Sequence, residues 1–251
     1  MFKQKVLSVL AGAAGLAMSG AAYASVIWTD SSTVGGNAVT ASATFTITGT
    51  DLKITLQNTS PANTLEAPTN TLSGLSFLLN GLDPALTPVS AISPQAIVNP
   101  AACTSNACPG TNVNVGGEWG YQQNFGGKEG VGSGGYITTG LPMNLGNFNG
   151  VDLAPPASLN GINFAILSAL HGALSGGLSS EALIDDTVAL DLTVPAGTTE
   201  AQIGSVSLLY GTTPVAIDAA PAAPGVPEPG SLALLGSALA AFGLYRRRKL
   251  V

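Results

Sequence analysis

The amino-acid sequence predicts an all-β fold, an antiparallel β-sandwich or jelly-roll-like domain, on three observations. First, Val39, Ala41, Ala43, Phe45 and Ile47 alternate with Thr40, Ser42, Thr44, Thr46 and Thr48; past the turn Gly49-Thr50-Asp51, Leu52, Ile54 and Leu56 alternate with Lys53, Thr55 and Gln57. Period two on both sides of a Gly-containing turn is a hairpin with one buried face and one Thr-rich wet face. Second, Val188, Leu190, Leu192 and Val194 alternate with Thr187, Ala189, Asp191 and Thr193, and after Pro195-Ala196-Gly197 a closing strand runs through Ile203, Val206, Leu208 and Tyr210. Third, the remaining apolar runs are short and punctuated by turn residues, with no convincing long amphipathic helix.

The other elements follow in chain order. Val26-Ile27-Trp28 reads as a short first strand, and Asn58 to Thr71 as a Pro/Asn loop. Leu75, Phe77 and Leu79 form a strand closed by Asn80-Gly81, and Thr87 to Ile92 a further short one among prolines. Residues 116–150 hold twelve glycines with Trp119, Tyr121, Phe125, Tyr136 and Phe148, and read as an irregular region. The one helical rival is Ala157 to Leu174, apolar nearly all round; Gly161, Gly172, Gly176 and Gly177 weaken it, and the expectation is strand plus loop. Ala219 to Gly225 reads as an extended Pro/Ala linker, which bounds a domain at residues 25–218.

Both ends read as targeting segments. Lys3 and Lys5 precede an apolar stretch from Val6 to Met18, and Ala22-Tyr23-Ala24 is a small-x-small cleavage site. That is a signal peptide over residues 1–24, with a mature chain starting at Ser25. At the other end stand Pro227-Glu228-Pro229, an uncharged apolar run at 230–245, and the basic block Arg246, Arg247, Arg248 and Lys249. As a helix the run spans roughly 24 Å at 1.5 Å per residue, slightly short of a ~30 Å hydrocarbon core. The basic block is expected to stay on the cytoplasmic side, which leaves residues before 226 outside. Pro227 and Pro229 lack amide donors and hold Glu228 extended above the membrane.

This order of Pro-Glu-Pro, apolar helix and basic end resembles the PEP-CTERM sorting tail of bacterial exported proteins, here residues 226–251. The resemblance implies that exosortase, a membrane enzyme, recognises Pro227, Glu228 and Pro229 and cuts near them. It implies transient anchoring through the C-terminal helix, then a place on the cell surface or outside the cell. It also implies a setting of exopolysaccharide, biofilm or floc, with exosortase as partner and exopolysaccharide as a second one.

The charge pattern excludes one partner class. Residues 25–225 carry 13 acids and two bases, Lys53 and Lys128, a net charge of −11. So acidic a domain repels phosphate backbones, and no nucleic acid is expected as a partner.

Candidate chemistry is sparse. Cys103 and Cys108 have four residues between them in an exported chain, a spacing that most often forms a local disulfide; a zinc site would need ligands that are not near. His171 is the one histidine, and no G-x-S-x-G elbow accompanies it. Asp185-Asp186 and Glu118 are acids of the kind that solvated loops carry. Gly130, Gly132, Gly134 and Gly135 lack the flanking strand and helix of a nucleotide fingerprint. Asn58-Thr59-Ser60 matches a glycosylation acceptor and is discounted in a bacterial setting. No catalytic residue, metal or cofactor is therefore expected. The reading is an exported protein without catalytic activity. Two others stand beside it: a carbohydrate-binding module stacking sugars on Trp119, Tyr121 and Tyr136, and a secreted hydrolase built on His171 with an acid and a serine.

Overall fold

A computed structural model describes residues 25–62, 65–103, 108, 110–124, 134–139, 148, 150–155, 159, 161–212 and 215–222. The expected signal helix (1–24) and transmembrane helix (230–245) lie outside the described residues.

The described chain is mostly strand: β1 (Ser25–Val34), β2 (Asn37–Thr48), β3 (Asp51–Asn58), β4 (Leu65–Glu66), β5 (Leu72–Leu79) and β6 (Thr87–Ser93) come first. The middle supplies β7 (Ile97–Val98), β8 (Val113–Asn114), β9 (Gly120–Gln122), β10 (Gly135–Thr138), β11 (Val151–Asp152), β12 (Ile166–Leu167) and β13 (Ala173–Leu174). The last part gives β14 (Leu183–Asp185), β15 (Thr187–Thr193), β16 (Ile203–Tyr210), β17 (Val215–Asp218) and β18 (Ala220–Pro221). They form two main, largely antiparallel sheets. One runs β18-β1-β2-β3-β15-β6-β8; the other runs β11-β9-β10-β5-β12-β14-β7, with β16 paired to β5 and β17 paired to β16. The expected Ala157–Leu174 strand-plus-loop holds in its described part, where Ile166 pairs with Leu72 and no helix forms.

The first sheet follows the alternation of the sequence. In β2, Val39, Ala41, Ala43, Phe45 and Ile47 are buried while the threonines between them are half-exposed. The same parity holds in β3 and β15, so these faces make one side of the core. Phe45 meets Phe77 of the second sheet edge-on, with ring centroids 5.2 Å apart, so the two sheets pack about a shared interior. The first three strands are a meander within one sheet, which differs from the jelly-roll pattern of consecutive strands in opposite sheets.

Three features differ from the sequence reading. The first strand is ten residues long rather than three, because Ser31, Ser32 and Thr33 carry no apolar alternation yet pair with Thr40, Val39 and Ala38. It closes on Gly35-Gly36, both at positive φ (59° and 84°), as a two-residue hairpin turn requires. The second difference is the glycine-rich middle. Its described parts are ordered strands that widen the second sheet, with β10 paired to β5 and β9 paired to β10. Gly74 makes this possible: a Cβ there would run into the Ile137 carbonyl oxygen. The third is the expected linker. Ala220 and Pro221 pair with Thr29 and Trp28, and the Ala222 N–H donates to the Ile27 carbonyl at 2.7 Å. Sheet pairing therefore continues past residue 218, and only residues 223–225 of that segment lie outside the described residues.

The second sheet is covered on both faces. Leu75, Phe77, Ile137 and Leu208 face the shared core. On the other face Tyr136 and Leu209 pack with Phe148, Leu159 and Ala216. Nearby, Ala165, Leu167, Leu178 and Leu183 make a third small cluster. Such two-sided burial removes alternation from the sequence, and β5 accordingly reads Leu-Ser-Gly-Leu-Ser-Phe-Leu-Leu.

Candidate functional site

The end of the described chain is a strap across both sheets. β17 pairs with β16 in the second sheet, from Tyr210 opposite Val215 to Ser207 opposite Asp218. The Ser207 hydroxyl donates to Asp218 Oδ1 at 2.8 Å, and the Ala219 N–H to the Val206 carbonyl at 2.8 Å. The chain then crosses to the first sheet and pairs as β18 with β1. β18 sits at the outer edge of its sheet, where a proline is tolerated because no further strand needs its missing N–H.

Beneath the strap a buried polar contact ties the sheets together. Asp30 of β1 points inward and is 8% exposed. Its Oδ1 accepts the Ala41 N–H at 2.6 Å and the Tyr210 hydroxyl at 3.0 Å. Burial pushes the carboxyl from 3.8 up to about 6, against the lowering effect of those hydrogen bonds. The Tyr210 phenol is raised too, by burial and by the neighbouring Asp30. Sequence reasoning did not single out Asp30. Its signal was parity: it is two residues beyond Trp28 and shares the inward face of β1.

At the other end of β1, the short 3-10 turn Glu200–Gln202 closes the first sheet. The Glu200 carboxylate accepts the Ile47 N–H at 2.7 Å.

The three aromatic residues considered for sugar stacking are core residues. Trp119 and Tyr136 are fully buried and Tyr121 is 4% exposed, so none offers a ring face to solvent. The cause is strand parity. Trp119 and Tyr121 are two apart and face the shared core, Tyr121 opposite Ile137. Tyr136 faces the other way, opposite Ser76, and is covered by Phe148 at a centroid distance of 5.9 Å. The Tyr121 hydroxyl donates to the Pro84 carbonyl, and burial pushes this phenol up to about 12. Glu118, beside them, is 2% exposed rather than a solvated loop acid.

Cys103 and Cys108 form a disulfide with Cα atoms 6.1 Å apart. Asn58 of the glycosylation-like triplet is 2% exposed; its Nδ2 donates to the Ile166 carbonyl at 2.9 Å and its Oδ1 accepts the Ser60 N–H at 3.1 Å. A side chain so engaged is closed to modification in the folded domain.

His171 does lie near an acid and a serine. Burial raises the Asp185 carboxyl and His171 electrostatically lowers it, and the His171 backbone N–H donates to the Ser168 carbonyl at 2.9 Å. The serine is not available as a nucleophile. Its hydroxyl, 3% exposed at the residue level, donates to the Ser60 carbonyl at 2.6 Å and accepts the Leu170 N–H at 3.2 Å. The His171 Nδ1 instead faces the Gly172 carbonyl at 3.2 Å. Asp186 is occupied by the Gln57 amide at 3.1 Å and the Thr187 hydroxyl at 2.8 Å. Among the described residues no group of three or more His, Cys, Asp or Glu is placed to hold a metal, and no helix is long and apolar enough to cross a membrane.

The described molecule is thus a two-sheet β domain whose last strand is stitched to its first, and its distinctive chemistry lies in the tail beyond that strand. Residues 225–249 match the family model of the PEP-CTERM protein-sorting motif. This match contains Pro227, Glu228, Pro229 and the basic block at 246–249, all outside the described residues. No curated protein and no solved structure matches the chain. The motif is the recognition signal for exosortase processing. Its presence implies an exosortase-targeted exported protein. The match begins three residues after Ala222, the last described residue, so the signal comes almost directly after the sheet.

Proposed function

We propose that this chain is a non-catalytic surface or extracellular-matrix protein of a bacterium that makes exopolysaccharide or biofilm. A signal peptide over residues 1–24 starts its export, with cleavage after Ala24. The helix at 230–245 holds it in the membrane, and the basic block at 246–249 stops it from slipping through. Exosortase then cuts beside Pro227-Glu228-Pro229 and frees the β domain to the surface.

The observation that carries this reading is the sorting motif at 225–249. Supporting it, the serine near His171 and the neighbouring Asp186 are engaged with protein groups, which argues against a Ser-His hydrolase. A sugar-stacking role for Trp119, Tyr121 and Tyr136 has lost its basis in their burial. An association with exopolysaccharide would instead use the Thr- and Ser-rich outer face of the first sheet, whose hydroxyls suit a hydrated polysaccharide.

The test replaces Pro227, Glu228 and Pro229 together with alanine in a host carrying an exosortase. Membrane insertion is expected to persist while shortening and release stop, so full-length protein accumulates in the membrane fraction on an immunoblot. Normal shortening and release of the triple variant would overturn the sorting role of these residues.

A further inference from the structure

We propose that the amino group created at Ser25 by signal-peptide removal pairs with the Glu200 carboxylate, which gives this corner of the mature domain a charge contact that the precursor lacks. The inference rests on the proposed cleavage after Ala24.

The geometry comes from the register of the first sheet. Ser25 opens β1 and stands opposite Thr46 of β2. One step further along, Ile47 is the first core position of β2 that β1 no longer opposes. The direction of its N–H is set by the alternation along the strand. Thr40 sends its N–H to Ser60, past the end of β3, whereas Ala41 sends its N–H to Asp30 of β1. Odd-numbered residues of β2 therefore donate toward β1. The Ile47 N–H points to the place where one more residue of β1 would present its carbonyl oxygen. Glu200 Oε1 occupies that place, accepting the N–H at 2.7 Å.

That carboxylate oxygen stands in for the carbonyl oxygen of a residue preceding Ser25. In a peptide unit the carbonyl oxygen and the next nitrogen lie about 2.3 Å apart. A carboxylate in the oxygen's position therefore brings a free Ser25 amine within salt-bridge distance, about 3–4 Å. While residue 24 is attached, that nitrogen is an uncharged amide. Cleavage turns it into an ammonium group, charged at neutral pH. The one lysine among the described residues, Lys53, is two strands away, opposite Thr46 on β3. The turn carrying Glu200 is fixed by its own bonds: the Thr199 N–H donates to Gln202 Oε1 at 2.9 Å, and the Gln202 N–H to the Thr199 carbonyl at 3.1 Å.

The experiment uses the exported protein purified from its host, beside Glu200→Gln and an uncleavable form carrying Ala22→Leu and Ala24→Leu. Intact mass and terminal sequencing first establish the amino-terminal residue. Acylation of the Ser25 amine at near-neutral pH is then followed by mass spectrometry. The folded protein is expected to react several-fold more slowly than the urea-unfolded chain, and Glu200→Gln to abolish most of that protection. Thermal melts separate this from the bond to Ile47, which both forms share: Glu200→Gln should lower the Tm more in cleaved protein than in the uncleaved form. Equal acylation rates and equal Tm losses, with Ser25 shown to be the first residue, would overturn the pairing. A mature chain beginning elsewhere would overturn the cleavage reading and the pairing with it. Should Glu200→Gln fail to fold, Ser25 acetylation of the natural protein tests the same contact, with a Tm loss expected.

Discussion

Asp30 shows how one side chain shapes the response of the domain to pH. Its carboxyl titrates near 6 in the fold against 3.8 ordinarily, so the folded state prefers the protonated form. The stability this confers is fully present below about pH 4 and is lost as pH rises through 6. The loss is roughly 3 kcal/mol at 1.36 kcal/mol per pKa unit, an upper figure for a single buried acid. Asp152 and Asp185 are raised as well and act in the same direction. Melting temperature is therefore expected to fall between pH 4 and pH 6.5. Asp30→Asn retains an oxygen to accept the Ala41 N–H and the Tyr210 hydroxyl but cannot ionise, so it should flatten much of that slope. A slope unchanged by Asp30→Asn would show that other groups set it.

At the scale of elements, the strap from Val215 to Ala222 is the most informative piece. It covers the edge of β16 with four cross-strand pairs and the edge of β1 with two. An edge strand left open offers unpaired N–H and carbonyl groups to other chains. Ala222→Pro removes the N–H bonded to Ile27 and is expected to cost about 1 kcal/mol, read as a small drop in Tm. Ending the chain after Thr212 removes the whole strap and should cost several times more, with aggregation on concentration; an unchanged melt would show that the strap adds nothing. The disulfide is a smaller staple. It closes a short loop, for which about 2 kcal/mol is the order expected. Thiol alkylation of the folded exported protein without reductant should label neither Cys103 nor Cys108.

For the molecule as a whole, the closeness of fold and sorting signal matters most. From Ala222 to Pro227 is five residues, at most about 18 Å of extended chain. If exosortase works at the membrane face, the folded domain stands directly above it. Inserting ten Gly/Ser residues after Ala222 is therefore expected to leave export intact and to speed cutting, read as faster loss of the full-length band. Slower or unchanged cutting would mean that the enzyme tolerates, or uses, the nearby domain.

Periodicity and motif carried everything that the sequence by itself determined. The hairpin at 39–57 and the strand at 187–194 were legible because one face meets the core and the other meets water, which writes burial into alternate letters. The sorting tail was legible because its working parts are contiguous: two prolines around an acid, an apolar run, then four bases. The disulfide needed only a short spacing and an oxidising compartment. Only the tertiary structure decided the rest. The glycine-rich strand β10 is buried along its whole length, so no alternation announced it, and the cover that Phe148 gives Tyr136 was not written in the local sequence. Asp30 meets Tyr210 across 180 residues, and Ile47 meets Glu200 across 153. Ala220-Pro221 joins a sheet through backbone bonds that side-chain identity does not encode. Such long-range pairings depend on where the sheets bring their edges together, and no local pattern of residues records that.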